Sequence, residues 1–257
     1  MEKYAFVTRP DDVSFGIREE IRKRLDPAAY AEDEKNPDTV FVIGGDGTFI
    51  YAVHQYIDQL DDVRFYGIHT GTLGFYTDFE DRDFEAFMDV FLQKKWKEVY
   101  YPLLTCEAGD QTFYAINEIR IENAARSQEV DILINDEYFE KFRGTGLCIC
   151  TQLGSTAYNR SLGGAVIQDG LDLIQITEIA GIHHSKCRSL DAPFVLKGDS
   201  RITLKASNFR GGVLGVDADA YPICEIGEVR IHVCECTRVR MLQGRKVSYL
   251  KKLQSLF

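Results

Sequence analysis

Thr39-Val40-Phe41-Val42-Ile43-Gly44-Gly45-Asp46-Gly47-Thr48 is the stretch whose reading decides the fold. Residues 39–43 are β-branched and aromatic with little alternation, as expected of a strand buried on both faces of a parallel sheet. From Phe49, apolar residues recur at Ala52, Val53, Tyr56, Ile57 and Leu60, a helical period. The glycine turn therefore leads to a helix N-terminus, where unpaired N–H groups and the helix dipole favour an anion. Gly44, Gly45 and Gly47 let the backbone approach phosphate oxygens closely. Asp46 is the anomaly. A carboxylate beside phosphates is repelled unless a divalent metal lies between them, or unless it has a proton or hydroxyl to hold. The acid points to transfer chemistry; the competing reading is a βα turn in which Asp46 only complements the helix dipole.

Working outward, the first hundred residues alternate. Lys3 to Thr8 reads as a strand, Ser14 to Leu25 as a helix and Val63 to Ile68 as a third strand. A second glycine-rich loop follows, His69-Thr70-Gly71-Thr72-Leu73-Gly74-Phe75-Tyr76, and then a helix from Phe84 to Trp96, acidic at its start and basic at its end. This is the pattern of a Rossmann-like parallel α/β domain with binding loops at the carboxyl ends of its strands.

After Tyr101-Pro102 strand patterns dominate: Thr112 to Glu122, Glu129 to Ile134, Glu137 to Phe142, Leu147 to Thr151, Asp172 to Ile179, Arg201 to Ala206, Val213 to Val216 and Glu228 to Cys236. The expected fold class is therefore α/β followed by a mostly antiparallel β domain. The expected domains are residues 1–97, joined by the tail at about 240–257, and residues 98–239. Val247, Leu250, Leu253 and Leu256 stand at helical spacing, so the tail is expected to pack back on the first domain as a helix.

Composition narrows the partners. Of 257 residues 45% are hydrophobic, enough for a substantial core, and a net charge of -10 argues against a nucleic-acid backbone as ligand. The opening Met1-Glu2-Lys3-Tyr4-Ala5-Phe6-Val7 lacks the apolar core of a signal peptide, and no apolar run approaches a membrane span. A cytoplasmic protein without a membrane partner is expected. The seven cysteines include no C-x-x-C. Their two C-x-C pairs sit in strand patterns, so packed free thiols are expected rather than zinc ligands.

Three further segments bear on chemistry. Gly154-Ser155-Thr156-Ala157-Tyr158-Asn159, followed by Ser161-Leu162-Gly163-Gly164, offers hydroxyls, main-chain groups and one aromatic ring, a surface on which a purine can lie against Tyr158. Asn117-Glu118 interrupts a strand pattern with an amide and a carboxylate suited to ribose hydroxyls and ring nitrogens. Arg143, before Gly144-Thr145-Gly146, has an anion-binding setting or is a solvated hairpin charge. His183-His184 diverge on a strand and read as surface or interface histidines.

In chain order, GGDGT, HTGTLGFY, NE, FRGTGL and GSTAYNRSLGGA together resemble the bacterial ATP-NAD kinases over residues 40 to about 220. GGDG alone is shared with diacylglycerol and sphingosine kinases and with 6-phosphofructokinases; its pairing with NE and GSTAY distinguishes the NAD kinases. The resemblance implies transfer of the ATP γ-phosphoryl group, with a divalent metal such as Mg2+, to the 2′-hydroxyl of the adenosine ribose of NAD. Asp46 would be the acid beside that ribose, acting as general base or through the metal. Asn117 and Glu118 would hold ribose and adenine, Phe75 and Tyr76 would line the pocket, and Thr156, Ala157, Tyr158 and Ser161 would frame the adenine. Ala180 would be a further contact, and Gly45, Gly47, Thr48, Arg143, Thr145 and Asn159 complete the expected substrate-binding set. ATP or polyphosphate would be the donor, and a homodimer or homotetramer the assembly.

The chain departs from that family's pattern at three places. Gly144-Thr145-Gly146 stands where relatives usually read G-D-G, Thr151-Gln152-Leu153-Gly154 where they read T-P-[ST]-G, and Ala218 where a His, Gly or Ser follows the aspartate. The other expectations to be tested are a GGDG-type lipid kinase and an NAD- or NADP-binding regulator of weak catalysis.

Overall fold

The structure is a computed structural model and describes residues 1–71, 74–182, 189–207 and 209–256. His183-His184 lie outside the described residues. Contacts divide the chain into one unit of Met1–Tyr101 with Thr237–Phe257 and a second of Pro102–Cys236.

The first unit opens with β1 (Glu2–Thr8), α1 (Asp12–Arg24), β2 (Tyr30–Glu32), β3 (Thr39–Ile43), α2 (Asp46–Gln55), β4 (Arg64–His69), β5 (Phe79–Glu80) and α3 (Phe84–Leu92). β2, β1, β3 and β4 pair in that order, all parallel, and the two-residue β5 pairs in parallel beside the end of β4. All five residues of β3 are buried, the signature of a strand covered on both faces. Asp11 caps α1 by accepting from the Ser14 amide at 2.9 Å, and Arg22, Lys23 and Arg24 meet the negative end of its dipole. Tyr66 stacks on Phe87 at 4.2 Å and Phe41 meets Phe91 edge-on at 4.8 Å. The buried Tyr66 hydroxyl donates to the Phe87 carbonyl at 3.0 Å, so that phenol is paired inside the aromatic core. Two boundaries differ from the periodicity. α2 starts inside the glycine motif, at Asp46, and α3 ends at Leu92 rather than Trp96, the chain turning through Lys94 at φ +53°.

The chain continues through β6 (Lys97–Ala108), β7 (Gln111–Ala115), β8 (Glu118–Glu122), β9 (Gln128–Ile134), β10 (Glu137–Thr151), the short α4 (Tyr158–Ser161), β11 (Leu173–Gly181), β12 (Phe194–Lys197), β13 (Ile202–Lys205), β14 (Val213–Val216), β15 (Asp219–Pro222) and β16 (Glu228–Gln243), before α5 (Tyr249–Gln254). In the second unit β14, β8, β10, β9 and β13 pair successively, every pairing antiparallel, and β11 pairs with residues 144–151 of β10, the half that also pairs with β8. Parallel α/β followed by antiparallel β is thus the fold, as expected. The end of β16 and α5 belong to the first unit, where Arg240 and Met241 pair in parallel with Arg64 and Phe65 of β4.

β10 corrects the reading of residues 143–146 as a break between two strands. It runs unbroken, because Gly144 and Gly146 serve close strand approach. A Cβ at Gly146 would overlap the Ile121 carbonyl oxygen of β8, and one at Gly144 would lie 2.7 Å from the Ala180 carbonyl oxygen. Conversely, the single strand expected from Thr112 to Glu122 breaks at Ile116-Asn117. Cys148 and Cys150 are buried free thiols, and burial pushes Cys150 up to about 12. Cys234 is half-buried and Cys236 exposed, so only the first C-x-C pair is packed.

Candidate active site

In the first unit the two glycine loops meet around Asp46. β3 gives way to Gly44, whose φ of +154° and close approach to the Thr48 side chain exclude any Cβ. Gly45 caps α2 without a side-chain bond, leaving Asp46 in the first turn. The Asp46 carboxylate accepts from the Phe75 amide at 3.0 Å through each oxygen, and from the Tyr76 amide at 3.3 Å. A Cβ on Gly74 would overlap Asp46 Oδ1 and lie 2.7 Å from Cγ, so Gly74 is the glycine that lets the second loop close on the acid. Phe75 and Tyr76 are buried, and Tyr76 stacks on Phe49 of α2 at 4.8 Å, tying that loop to the helix. His69, at the end of β4, was not singled out from the sequence. Its ring is buried and flanks Gly45, with Nδ1 3.3 Å from the Thr77 hydroxyl. Burial lowers its pKa, and the Asp46 charge partly opposes that shift.

In the second unit Asn117-Glu118 and the GSTAY segment are locked together. The Thr151 amide donates to the Asn117 carbonyl at 2.9 Å, and the Thr151 hydroxyl to the Ile116 carbonyl at 2.7 Å. A Cβ at Gly154 would overlap the Asn117 carbonyl oxygen and lie 2.5 Å from its carbon, so only glycine permits this contact. The break between β7 and β8 is held by Asp217. Its carboxylate accepts from the amides of Ile116 at 2.9 Å, Asn117 at 2.8 Å and Glu118 at 3.1 Å. Asp217 sits at φ +49° and 99 to 101 positions away in sequence, so no local pattern announces the role.

Glu118 is buried and its Oε2 has no hydrogen-bond partner among the described residues. Burial, and then the Asp217 charge, push its pKa up to about 7. Arg120, two residues on, lays its guanidinium 4.7 Å over the Tyr158 ring and donates to the Asp217 carbonyl at 3.1 Å. It too was missed, because a strand arginine gives no sign of which ring it will cover.

The remaining sequence candidates divide by what their side chains already hold. Asn159 is fully buried and donates to the Ser155 and Ala165 carbonyls while accepting from the Thr177 hydroxyl at 2.7 Å, so its amide holds the loop itself. The Thr156 hydroxyl donates to the Leu153 carbonyl at 3.0 Å, and Leu153, the apolar departure, is buried. Ala157 and Tyr158 are half-buried and Ser161 exposed. Ala180 is exposed, at φ +48° near the end of β11. Arg143 lies within β10 facing Glu129 at 3.8 Å, and Thr145 is half-buried on the same strand. Gly47 has open space around its Cα, and Thr48 packs beneath Gly44.

Residues 2–96 match the ATP-NAD kinase N-terminal domain and residues 116–242 the ATP-NAD kinase C-terminal domain. The NAD kinase of Levilactobacillus brevis is 42% identical over 243 residues, covering 92% of this chain and 91% of that protein. The chain belongs to the ATP-NAD kinase family. Its reaction is the ATP-dependent phosphorylation of NAD to NADP. The GGDG turn is accordingly that of an NAD kinase and not of a lipid kinase. The NAD kinase of Lactobacillus helveticus is 46% identical over 189 residues, covering 72% of this chain and 70% of that protein. Two solved structures share the fold. Yeast NADH kinase complexed with NADH matches with a TM-score of 0.82 at 19% identity, covering 100% of this chain and 87% of that one. An Archaeoglobus fulgidus NAD kinase in complex with ATP matches at 0.81 and 23% identity, covering 98% and 99%. Among the described residues no helix is long and apolar enough to cross a membrane.

Proposed function

We propose that Asp46 is the acid that faces the 2′-hydroxyl of the adenosine ribose of NAD and accepts its proton as the γ-phosphoryl group of ATP is transferred. The observation that carries this reading is the grip on its carboxylate, three contacts from the Phe75 and Tyr76 amides at 3.0 to 3.3 Å. Two carboxylate oxygens offer roughly four acceptor sites, so the grip fixes orientation and leaves capacity for a hydroxyl. Phosphoryl transfer depends on positioning and charge neutralisation more than on covalent chemistry by the protein. The amides at the start of α2 and the open backbone at Gly47 suit phosphate oxygens, with Thr48 beneath them.

Asn117, Glu118 and the Tyr158 ring receive the adenosine. Glu118 supports this assignment, since an unpaired buried carboxyl oxygen is costly unless a ligand group completes it. Thr156 and Ala157 contribute main-chain groups to the same surface. No group of three metal-ligating side chains occurs among the described residues. Asp46 is a carboxylate able to face Mg2+ carried by the ATP phosphates, since magnesium is commonly held by one or two carboxylates plus substrate phosphates. When bound, the ion neutralises phosphate charge.

The test is Asp46→Asn, followed by NADP formation from NAD and ATP. A general base contributes roughly a hundred- to ten-thousand-fold, so turnover falls by that much while NAD binding, measured by calorimetry, is retained. Turnover near that of the wild type refutes the role.

A further inference from the structure

The Asp46 carboxylate is oriented by two backbone amides, and the loop bearing those amides is itself held by the C-terminal segment of the chain. Lys252 of α5 is buried, and its ammonium donates to the Phe75 carbonyl at 2.9 Å and meets Asp78 Oδ1 at 3.4 Å. Tyr249, one turn earlier, contacts the Phe75 ring edge-on at 6.1 Å. Arg245 donates from Nε to the Asp78 carbonyl at 2.6 Å and pairs with Asp83. Three side chains from residues 245–252 thus hold residues 75–83, and Lys252 is bonded to the residue whose amide touches both oxygens of Asp46.

A buried ammonium on a backbone carbonyl is costly to place and strong once placed. Packing the tail by apolar contact alone would not require it. We infer that Lys252 is a positioning residue for phosphoryl transfer: through the Phe75 carbonyl it fixes the loop whose amides aim the Asp46 carboxylate. The inference rests on the reading of Asp46 as the acid beside the ribose. It gives α5, a six-residue helix distant from the glycine motif in sequence, a part in the rate of the reaction as well as in stability.

Lys252→Met, Asp78→Asn and the double variant separate aiming from packing. Lys252→Met leaves Asp78 buried without its cation and lowers the melting temperature, whereas the double variant removes both charges and recovers it. In both chains lacking Lys252, kcat for NADP formation falls by about tenfold or more with the KM for NAD within about threefold, because aim is lost and binding is not. Asp78→Asn keeps the Phe75 contact, and its kcat stays within about threefold of wild type. Hydrogen exchange at the Phe75 and Tyr76 amides reads the same point without catalysis, and both lose protection in Lys252→Met. A double variant with wild-type kcat, or unchanged protection of those amides in Lys252→Met, overturns the inference. Asp46→Asn in the same series separates the two readings: if it is inactive while the double variant turns over normally, the role of Lys252 falls and that of Asp46 stands. Wild-type turnover by Asp46→Asn would remove the reading of Asp46 itself.

Discussion

Gly74→Ala places one methyl group against the acid. Built on the present backbone, the new Cβ overlaps Asp46 Oδ1 and lies 2.7 Å from Cγ and 2.9 Å from Oδ2, so every carboxyl heavy atom is too close. The φ of Gly74 lies outside the left-handed region, so alanine brings no backbone strain and the chain still folds. The clash is relieved by swinging the carboxylate away or by lifting the loop, and either movement breaks the bonds from the Phe75 and Tyr76 amides. A hydrogen bond to a charged group contributes about 1.5–3 kcal/mol, so two donors at the lower end hold the carboxylate by about 3 kcal/mol. At about 1.4 kcal/mol per tenfold in rate, kcat falls roughly a hundredfold, the size also expected when a reacting group is misplaced by about 1 Å. Initial rates of NADP formation at saturating NAD and ATP measure this, with circular dichroism and a thermal melt to certify the fold. A folded Gly74→Ala chain with kcat within about threefold of wild type refutes the argument that this contact aims the acid.

Two other predictions concern stability. Glu118 takes up its proton at about 7 in the folded chain against an ordinary 4.5, so folding is favoured in full below 4.5 and the advantage is lost as pH rises through about 7. The wild-type chain should therefore lose about 2–3 kcal/mol more than Glu118→Gln between about pH 5 and about pH 8 in urea titrations, and parallel losses would contradict it. Gly16 is exposed inside α1 with nothing within 4 Å of a built Cβ. Gly16→Ala should accordingly raise stability by about 0.5–1 kcal/mol without altering kcat, and a lower denaturation midpoint would count against the helix assignment.

The readable part of this molecule was what local periodicity controls. Thr39 to Ile43 is a fully buried parallel strand because nothing in it asks for solvent, and the change to antiparallel β after Tyr101-Pro102 followed from strand patterns no longer separated by helices. The errors have equally local causes. Gly144 and Gly146 look like turn residues, yet they lie in a continuous strand where β8 and β11 approach too closely for a Cβ. What the Asn159 side chain holds is likewise invisible in GSTAYN: its amide donates twice and accepts once within the buried loop. Burial and partner identity are not written in a pentapeptide.

By itself the sequence determined that a glycine turn with one acid lies at the start of a helix, and its motif order determined the family resemblance. Tertiary structure alone decided what holds the functional groups. Gly74 is where the acid meets the second loop, Asp217 grips the Asn117-Glu118 turn from about a hundred positions away, and Lys252 reaches back to Phe75 from 177. Such contacts depend on which carbonyls, amides and carboxylates folding leaves unpaired in the interior. Those debts are settled between residues remote in sequence, so only the folded chain reveals them.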